Sequence, residues 1–478
     1  MKPFYITTTL PYVNAKPHIG FAMELIRADV IARAKKISGQ EVFFNTGTDE
    51  HGTKIHRKAK ELNIDTQTYV DGAAQKFKDL ISMLGISPDI NFIRTTDVHH
   101  IVAAQAFWLL VKKNGFIYKK NYSVKYCVGC ELEKTESELV EGRCPLHPLT
   151  ELEIIQEENY FFKFSEFQKP LLELYKNNPD FVFPHSRLNE IRAFVERGLE
   201  DFSISRLATK MPWGVAVPDD ADHVMYVWFD ALVDYISAID WPTKQDVFKK
   251  WWVESGGVVQ YCGKDNLRQQ AAMWQAMLMA AGLTPSKAIV VDGFITGDGG
   301  IKMSKSLGNT IDPKDLVSEY SADAVRYFMT RELSPFEDSP FTPEKFKEAY
   351  NANLANGIGN LTSRIMKMAS THISTPVKIS AKPFPAEYHA SIEAYDLQKA
   401  SDVIWKHITE LDQRIQQEKP FSLVKEDLEK GKVIITELVQ GLSWVADMLR
   451  PFMPTTSEAV LACIAKNEMP ATPLFLRK

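Results

Sequence analysis

The sequence predicts an α/β fold, a doubly wound parallel sheet that carries a second domain in its middle and a helical bundle at its end. Apolar, strand-like runs each lie close to a helical pattern, and this alternation breaks off in the middle of the chain. From about residue 345 the pattern changes to helices without strands. We therefore predict a Rossmann-like sheet domain (1–116 and 211–344), an inserted domain (117–210) and an all-α domain (345–478).

The buried parallel strands are predicted at residues 5–10, 41–45, 258–262 and 288–294. After the first run, apolar side chains recur at helical spacing, with Pro17 just upstream, which predicts a helix over 20–36. The alternation is interrupted by a cysteine cluster and short β-like segments, and it resumes at residues 225–229. In such a sheet, ligands bind beyond the carboxyl ends of the strands.

Two apolar stripes at helical spacing predict the C-terminal bundle. The stripes consist of Leu397, Ala400, Ile404, Ile408, Leu411 and Ile415, and of Ile434, Leu438, Leu442, Val445 and Leu449. The second stripe ends before Pro451, which cannot continue a helix.

Composition narrows the class of protein. With 45% hydrophobic and 24% charged residues the chain is typical of globular proteins, and its net charge of −5 excludes a highly basic nucleic-acid coat protein. It contains no apolar run of about 20 residues, the length that spans a membrane, and its first residues lack the pattern of a signal peptide. Five cysteines in so long a chain are not a disulfide framework, and we expect a reducing, cytoplasmic location.

Three cysteines and a histidine have the spacing of a metal site. Cys127 and Cys130 form one pair separated by two residues, and Cys144 and His147 form a second such pair. Three thiolates and one imidazole make a closed tetrahedral zinc site with no open position, which indicates a structural role. The alternative, three unrelated thiols, does not explain the two matched pairs.

The first strand leads into Pro17-His18-Ile19-Gly20, at the start of the predicted helix. A helix N-terminus presents unpaired N–H groups and a positive dipole to an anion such as phosphate. His18 could donate to a phosphate oxygen, and Gly20 would let a nucleotide approach the backbone. The alternative is a helix start with an incidental histidine.

A second candidate phosphate-binding segment is the glycine-rich stretch at residues 297–306, which carries two lysines and two hydroxyls. Lysine is a compact cation suited to phosphate, and a loop of this kind can close over a departing pyrophosphate. The alternative is a solvated basic loop. The chain has no GxxxxGK[ST] loop and no GxGxxG fingerprint, so neither a Walker-type NTPase nor a dinucleotide-binding domain is supported.

Together, His-Ile-Gly after the first strand and Lys-Met-Ser-Lys-Ser after the last resemble the class I aminoacyl-tRNA synthetases. The flanking segments are similar to the methionyl-tRNA synthetase family over nearly the whole chain. These segments are residues 9–14 (TLPYVN), 47–52 (GTDEHG), 226–231 (YVWFDA) and 263–266 (GKDN).

The resemblance implies an ATP-dependent ligase that joins L-methionine to the 3′ end of tRNA(Met), with Mg²⁺ accompanying ATP. It implies a zinc knuckle in the inserted domain, near the active site and the tRNA acceptor end, and an anticodon-binding role for the bundle. The catalytic residues would be His18, Lys302 and Lys305, and Gly20 and Ser304 would join them around ATP. The residues of the methionine site would be Leu10, Tyr12, Asp49, Trp228, Ala231 and Tyr235, with Asp49 holding the α-ammonium group.

The anticodon contacts implied by the resemblance are Asn360 and Arg364, an amide and a guanidinium on one face of a helix. Without the resemblance to the family, an asparagine and an arginine at this spacing more often lie on a solvated helix surface. In the same way Trp228, whose aromatic ring suits a thioether, could instead be a core tryptophan under the sheet. Two positions depart from the family: Phe21 stands in place of a second histidine, and Gln270 in place of another.

The predicted chemistry needs no general base, because the carboxylate of a free amino acid, with a pKa of about 3.5, is already ionised at neutral pH. Alignment and neutralisation of charge on the phosphates are then sufficient.

Three alternatives to a methionine enzyme are weighed. A class I synthetase for leucine, isoleucine or valine would carry a larger editing insertion than residues 117–210 can hold. A nucleotidyltransferase for a small molecule would leave the knuckle and the bundle without a role, and a non-catalytic RNA-binding protein would not need His18 and Lys305. The chain ends soon after the bundle, without the extra tRNA-binding module that makes some relatives dimers, so we expect a monomer.

Overall fold

The computed structural model describes residues 1–130, 132–134, 138–301, 303 and 311–478. The strands are β1 (Phe4–Thr7), β2 (Val42–Thr48), β3 (Asn91–Arg94), β4 (Ile117–Cys127), β5 (Leu132–Lys134), β6 (Glu153–Phe162), β7 (Val182–Phe183), β8 (Phe202–Ser203), β9 (Ser205–Leu207), β10 (Ala216–Val217), β11 (Asp220–Met225), β12 (Val258–Gly263), β13 (Ala288–Asp292), β14 (Ile295–Thr296) and β15 (Ser339–Pro340).

The helices of the first three quarters of the chain are α1 (Ile19–Ile37), α2 (Thr53–Glu61), α3 (Thr66–Met83), α4 (Val98–Lys113), α5 (Gln168–Asn177), α6 (His185–Glu196), α7 (Val227–Ala231), α8 (Asp234–Ser237), α9 (Gln245–Phe248), α10 (Trp274–Ala280), α11 (Pro313–Tyr320) and α12 (Ala322–Tyr327). The C-terminal helices are α13 (Pro343–Ala349), α14 (Asn360–His372), α15 (Ala386–Glu393), α16 (Leu397–Glu418), α17 (Pro420–Glu426), α18 (Leu428–Leu449) and α19 (Pro454–Lys466). None of the described helices is both long and apolar enough to cross a membrane.

The central sheet, as far as the chain is described, contains six parallel strands in the order β3-β2-β1-β12-β13-β7. Tyr5 of β1 lies beside Phe43 of β2 on one side and beside Val258 of β12 on the other. The connections run outward in opposite directions from β1 and β12, which makes this the switch point of a doubly wound sheet. The predicted parallel α/β sheet is confirmed, and its ligand site is expected beyond the carboxyl ends of β1 and β12.

The two faces of the sheet are buried in different cores because successive side chains of a strand point to opposite faces. Ile6 and Val259 belong to a core that includes α1 and continues into the C-terminal helices. Tyr5 and Val258 belong to the other core, which includes α4 and the helices of the middle of the chain. This burial on both faces explains why the strands are nearly continuous apolar runs in the sequence.

The middle of the chain is mostly antiparallel. β4 pairs with β6 from Ile117 to Tyr126, and the local sheet has the order β5-β4-β6-β8. β7, from the same segment, instead extends the parallel sheet beside β13. The domain boundaries at residues 117, 211 and 345 therefore stay a prediction.

Residues 225–229, where the sequence predicts that the alternation resumes, form the end of β11 and the start of α7 rather than one element. A short, wholly apolar run suits a buried helix as well as a buried strand.

The C-terminal helical domain is confirmed. The two predicted stripes lie on α16 and α18, and all of their residues are buried except Leu411, which packs against the same core. Arg326 joins this domain to the sheet domain: its guanidinium forms a 2.7 Å ion pair with Asp29 of α1 and donates to the Pro451 and Phe452 carbonyls at 2.8 Å. The helix that follows the first strand is thus fixed to the end of α18.

Candidate functional site

The segment after β1 lies against the segment after β2, at the carboxyl edge of the sheet. Tyr12 and Asp49 form a parallel β-bridge, in which the Asp49 N–H donates to the Pro11 carbonyl and the Val13 N–H donates to the Asp49 carbonyl, both at 3.1 Å. Asp49 is buried, and Leu10 and Tyr12 are half-buried. The structure therefore brings Tyr12 and Asp49 together, with Leu10 two residues before the bridge.

His18 is the N-cap of α1. Its Nδ1 accepts hydrogen bonds from the N–H groups of Gly20 at 3.1 Å and Phe21 at 3.3 Å. Because Nδ1 is an acceptor, the neutral ring carries its proton on Nε2, which is the donor that a phosphate oxygen requires. A Cβ on Gly20 would lie 3.1 Å from His18 Nδ1, so a larger residue at this position would disturb the ring.

Phe21, which replaces a family histidine, belongs to the core. It is 6% exposed and packs edge-to-face on Phe77, with ring centroids 5.4 Å apart. The position therefore contributes packing of α1 against α3 in this chain.

A buried carboxyl group connects α1 to the segment after β1. The backbone N–H and the hydroxyl of Thr9 both donate to Glu24 Oε1, at 2.6 and 2.7 Å. Burial raises the pKa of Glu24 well above its usual range, although the Thr9 hydrogen bonds oppose the shift. Glu24 fixes the strand-to-helix turn that carries His18, and the sequence offered no motif that singled it out.

The third part of the site consists of α7 and α8. Trp228, Ala231 and Tyr235 follow one another at helical spacing, and the Tyr5 hydroxyl of β1 donates to the Tyr235 carbonyl at 2.8 Å. Tyr235 is buried, whereas Trp228 is half-buried and its indole N–H has no hydrogen-bond partner among the described residues. Tyr235 thus lies directly beside the first strand.

Two buried acids make this place favourable for a cation. Burial raises the pKa of Asp234 well above its usual range, and the negative charge of nearby Asp49 raises it further. Two carboxyl groups in a low-dielectric site cannot both ionise at little cost. An ammonium group bound between the strands and α8 would relieve their repulsion.

Asp230 links the Asp49 segment to α7. One carboxylate oxygen lies 2.6 Å from His51 Nδ1 and the other lies 2.9 Å from His100 Nε2, and all three side chains are buried. Burial alone would raise the pKa of Asp230, but its charge interactions and hydrogen bonds with the two imidazoles outweigh burial and lower the pKa to about 2. Sequence reasoning missed this group because its members are far apart in the chain.

The Asp230 arrangement gives a prediction for acid stability. A carboxyl group whose pKa is lower in the folded state stabilises the fold above its unfolded pKa of about 3.9, and this contribution is lost as the pH falls toward 2. We expect Asp230→Asn to reduce the free energy of unfolding by about 2 kcal/mol or more at pH 7. The difference from the unsubstituted chain should shrink below about pH 4.

Urea unfolding of both proteins at pH 7 and pH 3.5 measures this difference. Asp222→Asn, an exposed acid on β11, is the matched control. If Asp230→Asn reduced the free energy of unfolding by the same amount at both pH values, the role of the Asp230 charge would be contradicted.

The glycine-rich segment is described only in part. β14, which precedes the segment, pairs with β15, which follows it in the chain. Gly299 and Gly300 have φ values of 65° and 78°, a backbone conformation that favours glycine. Lys302, Ser304 and Lys305 lie outside the described residues, so their predicted contacts with ATP stay predictions.

The predicted metal ligands do come together. Cys127, Cys130, Cys144 and His147 each offer a ligand atom, and these atoms all lie within 4.8 Å of one another. Cys130 Sγ is 3.4 Å from Cys144 Sγ and 3.2 Å from His147 Nδ1. A tetrahedral zinc ion with bonds of about 2.0–2.3 Å needs ligand atoms about 3.5–3.8 Å apart, so the donor set fits zinc.

Two further observations suit a bound cation at this cluster. Burial and the neighbouring Cys144 and Cys127 thiols raise the pKa of Cys130 to about 12, so these thiols need a positive charge to ionise together. Gly129 lies against the His147 ring, where a Cβ would come within 2.5 Å of the ring atoms. The close approach requires glycine between the first two cysteines.

Asn360 and Arg364 both lie on α14 of the C-terminal domain. Asn360 is exposed at the start of α14, and Arg364 forms an ion pair with Asp412 of α16. Next to Asp412, Leu411 lines a cavity of about 590 Å³ between α16, α18 and the segment before α15. The ion pair therefore joins Arg364 to α16, which forms one wall of a groove that the sequence did not predict.

Trp444 is the main aromatic residue of this groove. Its ring centroid lies 4.6 Å from that of His407 and 3.9 Å from the Lys382 ammonium. Its indole N–H has no hydrogen-bond partner among the described residues. A half-exposed aromatic ring with an ammonium group over it is an arrangement on which single-stranded bases can stack.

A family model described as tRNA synthetases class I (M) matches residues 4–151 and 149–366, most of the chain. The chain belongs to the class I (M) tRNA synthetases. Among relatives, a methionine–tRNA ligase of Thermotoga maritima is 39% identical over 485 residues, covering 98% of this chain and 76% of that protein. A methionine–tRNA ligase of Rickettsia typhi is 40% identical over 484 residues, covering 97% of this chain and 94% of that protein.

The solved structures agree with this assignment to the class I (M) tRNA synthetases. The Mycobacterium tuberculosis methionyl-tRNA synthetase in complex with methionyl-adenylate superposes with a TM-score of 0.91 at 33% identity, over 100% of both chains. The apo form of the same enzyme superposes with a TM-score of 0.83 at 30% identity, over 100% of this chain and 98% of that one.

Proposed function

We propose that this chain is a methionine–tRNA ligase, which activates L-methionine with ATP and transfers it to the 3′ end of tRNA(Met). The observation that carries the proposal is the site at the switch point of the sheet. There Asp49 of the Tyr12–Asp49 bridge and Asp234 form a pair of buried acids, and Tyr235 accepts a hydrogen bond from Tyr5 of the first strand. The same fold in a relative is found with methionyl-adenylate. A nucleotidyltransferase or a passive RNA-binding protein would not need a buried acidic pocket for an ammonium group.

In the first step the methionine carboxylate attacks the α-phosphorus of Mg²⁺–ATP. A new P–O bond forms, the bond to the β-phosphate oxygen breaks, and pyrophosphate leaves with its electron pair. Asp49, with Asp234 beside it, would hold the α-ammonium group and thereby orient the carboxylate. In the second step a hydroxyl of the terminal ribose attacks the acyl carbon and AMP leaves.

Charge builds on the phosphates during the first step. His18 would donate from Nε2 to a phosphate oxygen, and the N-terminus of α1, with Gly20 permitting close approach, would add its dipole. Lys302, Ser304 and Lys305 would stabilise the pyrophosphate as it departs, an assignment that rests on the sequence motif. Trp228 and Ala231 would form the wall of the side-chain pocket with Leu10 and Tyr12.

The decisive experiment is amino-acid-dependent exchange of pyrophosphate with ATP. Methionine is expected to support exchange, and leucine, isoleucine and valine are not. Exchange with another amino acid would refute the specificity, and a complete lack of exchange would favour an RNA-binding protein without activity.

The proposal includes one structural zinc ion held by Cys127, Cys130, Cys144 and His147. A four-ligand site leaves no open position for substrate, so the ion would brace the loop at the end of β4 rather than take part in the chemistry. It also includes a monomer located in the cytoplasm, where free thiols such as these persist. Light scattering of the purified chain tests the oligomeric state.

The groove around Trp444 is the proposed contact with the anticodon, together with Asn360 and Arg364. A stacked base contributes about 1–3 kcal/mol, so we expect Trp444→Ala to lower kcat/KM for tRNA in aminoacylation by about tenfold or more. Pyrophosphate exchange should be unchanged, because the groove is lined only by residues between 379 and 447 and by none of the sheet strands. Phe421→Ala, which removes an exposed aromatic ring of α17 outside the groove, is the control. Equal losses for the two variants would count against the groove.

A further inference from the structure

Arg27 of α1 is 1% exposed, and every donor of its guanidinium group is used. A guanidinium group carries five N–H donors. One of them donates to Asp292 Oδ1 at 3.0 Å. The other four donate, at 2.9–3.3 Å, to the backbone carbonyls of Met329, Leu333, Ser334 and Pro335. A buried side chain whose donors are all satisfied is held in one arrangement, and it holds its partners in turn.

The partners of Arg27 lie at the base of the β14–β15 pair, which we call the stem. Asp292 ends β13 three residues before β14, and Pro335 lies four residues before β15. Two backbone hydrogen bonds of 2.9 Å flank the paired strands of the stem. The glycine-rich segment follows β14 directly. Arg27 therefore connects α1 to the chain on both sides of the stem.

The two sides of the base are in close contact with each other. A Cβ on Gly293 would lie 2.2 Å from the Glu337 carbonyl oxygen, so no larger residue fits there. The Phe294 N–H donates to Asp338 Oδ1 at 3.0 Å, and the Lys264 ammonium pairs with the same carboxylate at 2.7 Å. The base is one packed unit, so a residue that holds it fixes the stem as a whole.

Asp292 depends on Arg27 for the stability of its charge. Asp292 is buried, and its Oδ2 has no hydrogen-bond partner among the described residues. Burial raises the pKa of Asp292 to about 6, although Arg27 opposes the shift, so the carboxyl group is ionised at neutral pH. A buried carboxylate is costly without its cation. The ion pair thus keeps the end of β13 against α1.

The helix that carries Arg27 also carries His18 at its start. Arg27 lies eight residues after the first residue of α1, about 12 Å along a rigid axis. Its partners Met329 and Leu333 belong to the core on the α1 face of the sheet, whereas Tyr235 belongs to the core on the opposite face. A change at Arg27 should therefore affect the phosphate side of the site without affecting the methionine side.

We propose that Arg27 is a positioning residue for adenylate formation: it holds the stem of the glycine-rich segment in a fixed place relative to His18, so that both act on the same triphosphate. The inference rests on the proposed function. Arg27 acts through the groups that it holds and contacts no substrate. Alignment of this kind is sensitive, because a displacement of about 1 Å can lower a rate about 100-fold.

The test removes the hydrogen bonds of Arg27 without leaving a buried charge unpaired. Arg27→Met/Asp292→Leu replaces both charges by apolar side chains of similar size, an exchange that buried ion pairs usually tolerate. In pyrophosphate exchange, kcat should fall about 10- to 100-fold, whereas KM for methionine should change less than about twofold. Active sites are counted from the burst of ATP consumption, so an unfolded fraction does not lower the measured kcat.

Arg27→Lys is the second variant, because it keeps a positive charge beside Asp292. A single ammonium group cannot reach carbonyls spread over residues 329–335, so kcat should again fall, about tenfold, at an unchanged KM for methionine. Arg33→Met is the matched control. Arg33 lies on the same helix, pairs with Asp29 and donates to the Gly85 carbonyl at 2.9 Å, and it has no hydrogen bond or ion pair with the stem among the described residues. Its kcat should be unchanged.

An unchanged kcat in either folded Arg27 variant would overturn this inference. So would a rise in KM for methionine as large as the fall in kcat, because a general loss of structure affects both. Equal losses of kcat in Arg33→Met, or failure of both Arg27 variants to fold, would assign Arg27 to stability alone. No methionine-dependent exchange by the unsubstituted chain would instead overturn the proposed function itself.

Discussion

Replacing Cys144 with serine is expected to abolish zinc binding, lowering the metal content from about one ion per chain to less than about one tenth. Cys144 is fully buried in the cluster, and its Sγ lies 3.4 Å from that of Cys130. A serine hydroxyl is a poor zinc ligand because it does not ionise at neutral pH. Three remaining ligands would not hold the ion through purification.

The structural effect of losing zinc should be confined to the zinc-binding segment. Two ligands lie at or just after the end of β4 and two lie between β5 and β6, and none of the four belongs to either core that covers the central sheet. We therefore expect a nearly unchanged far-ultraviolet circular dichroism spectrum but faster proteolysis between residues 127 and 153. Structural zinc contributes an apparent folding free energy of about 10–16 kcal/mol in small metal-dependent domains, so the knuckle itself should unfold.

Cys463→Ser is the matched control, because Cys463 is a free, partly buried thiol in the C-terminal domain. It should retain the metal measured by atomic spectroscopy. A full complement of zinc in Cys144→Ser, or an equal loss in both variants, would show that the cluster is not the metal site.

Features that are local in the sequence were predictable. The sheet strands are continuous apolar runs because both faces are buried, and the stripes on α16 and α18 recur at helical spacing because one face is buried. Even so, the first strand ends at Thr7 rather than at residue 10, since the residues beyond it turn to meet Asp49. The metal ligands were found because four residues lie within 21 positions of one another.

Features made by distant residues were not predictable. Asp230 meets His51 across 179 positions and His100 across 130, and no spacing rule connects them. Gln270 is visible in the sequence only as a departure from a family pattern, whereas its buried hydrogen bonds join it to Gln260 and to Tyr235, 35 positions away. In the sequence, Trp444 resembles the other apolar residues of an amphipathic helix, and only the structure shows that it lines a groove.

Replacing His18 with alanine is expected to lower kcat for pyrophosphate exchange by about 10²–10³, the usual loss when one donor to a developing charge is removed. KM for methionine should change little, because the imidazole would act on the phosphates rather than on the amino acid. Alanine also removes the N-cap of α1, where Nδ1 accepts from Gly20 and Phe21. That loss should cost about 1 kcal/mol of stability.

His18→Asn separates these two effects. An asparagine oxygen can accept the same N–H groups and keep the cap, but its amide cannot reach a phosphate as the Nε2–H of the imidazole would. We therefore expect urea unfolding to be close to that of the unsubstituted chain while kcat stays as low as in His18→Ala. Recovery of exchange in His18→Asn would mean that the imidazole only caps the helix, and the transition-state role would then belong to the lysines of the glycine-rich segment.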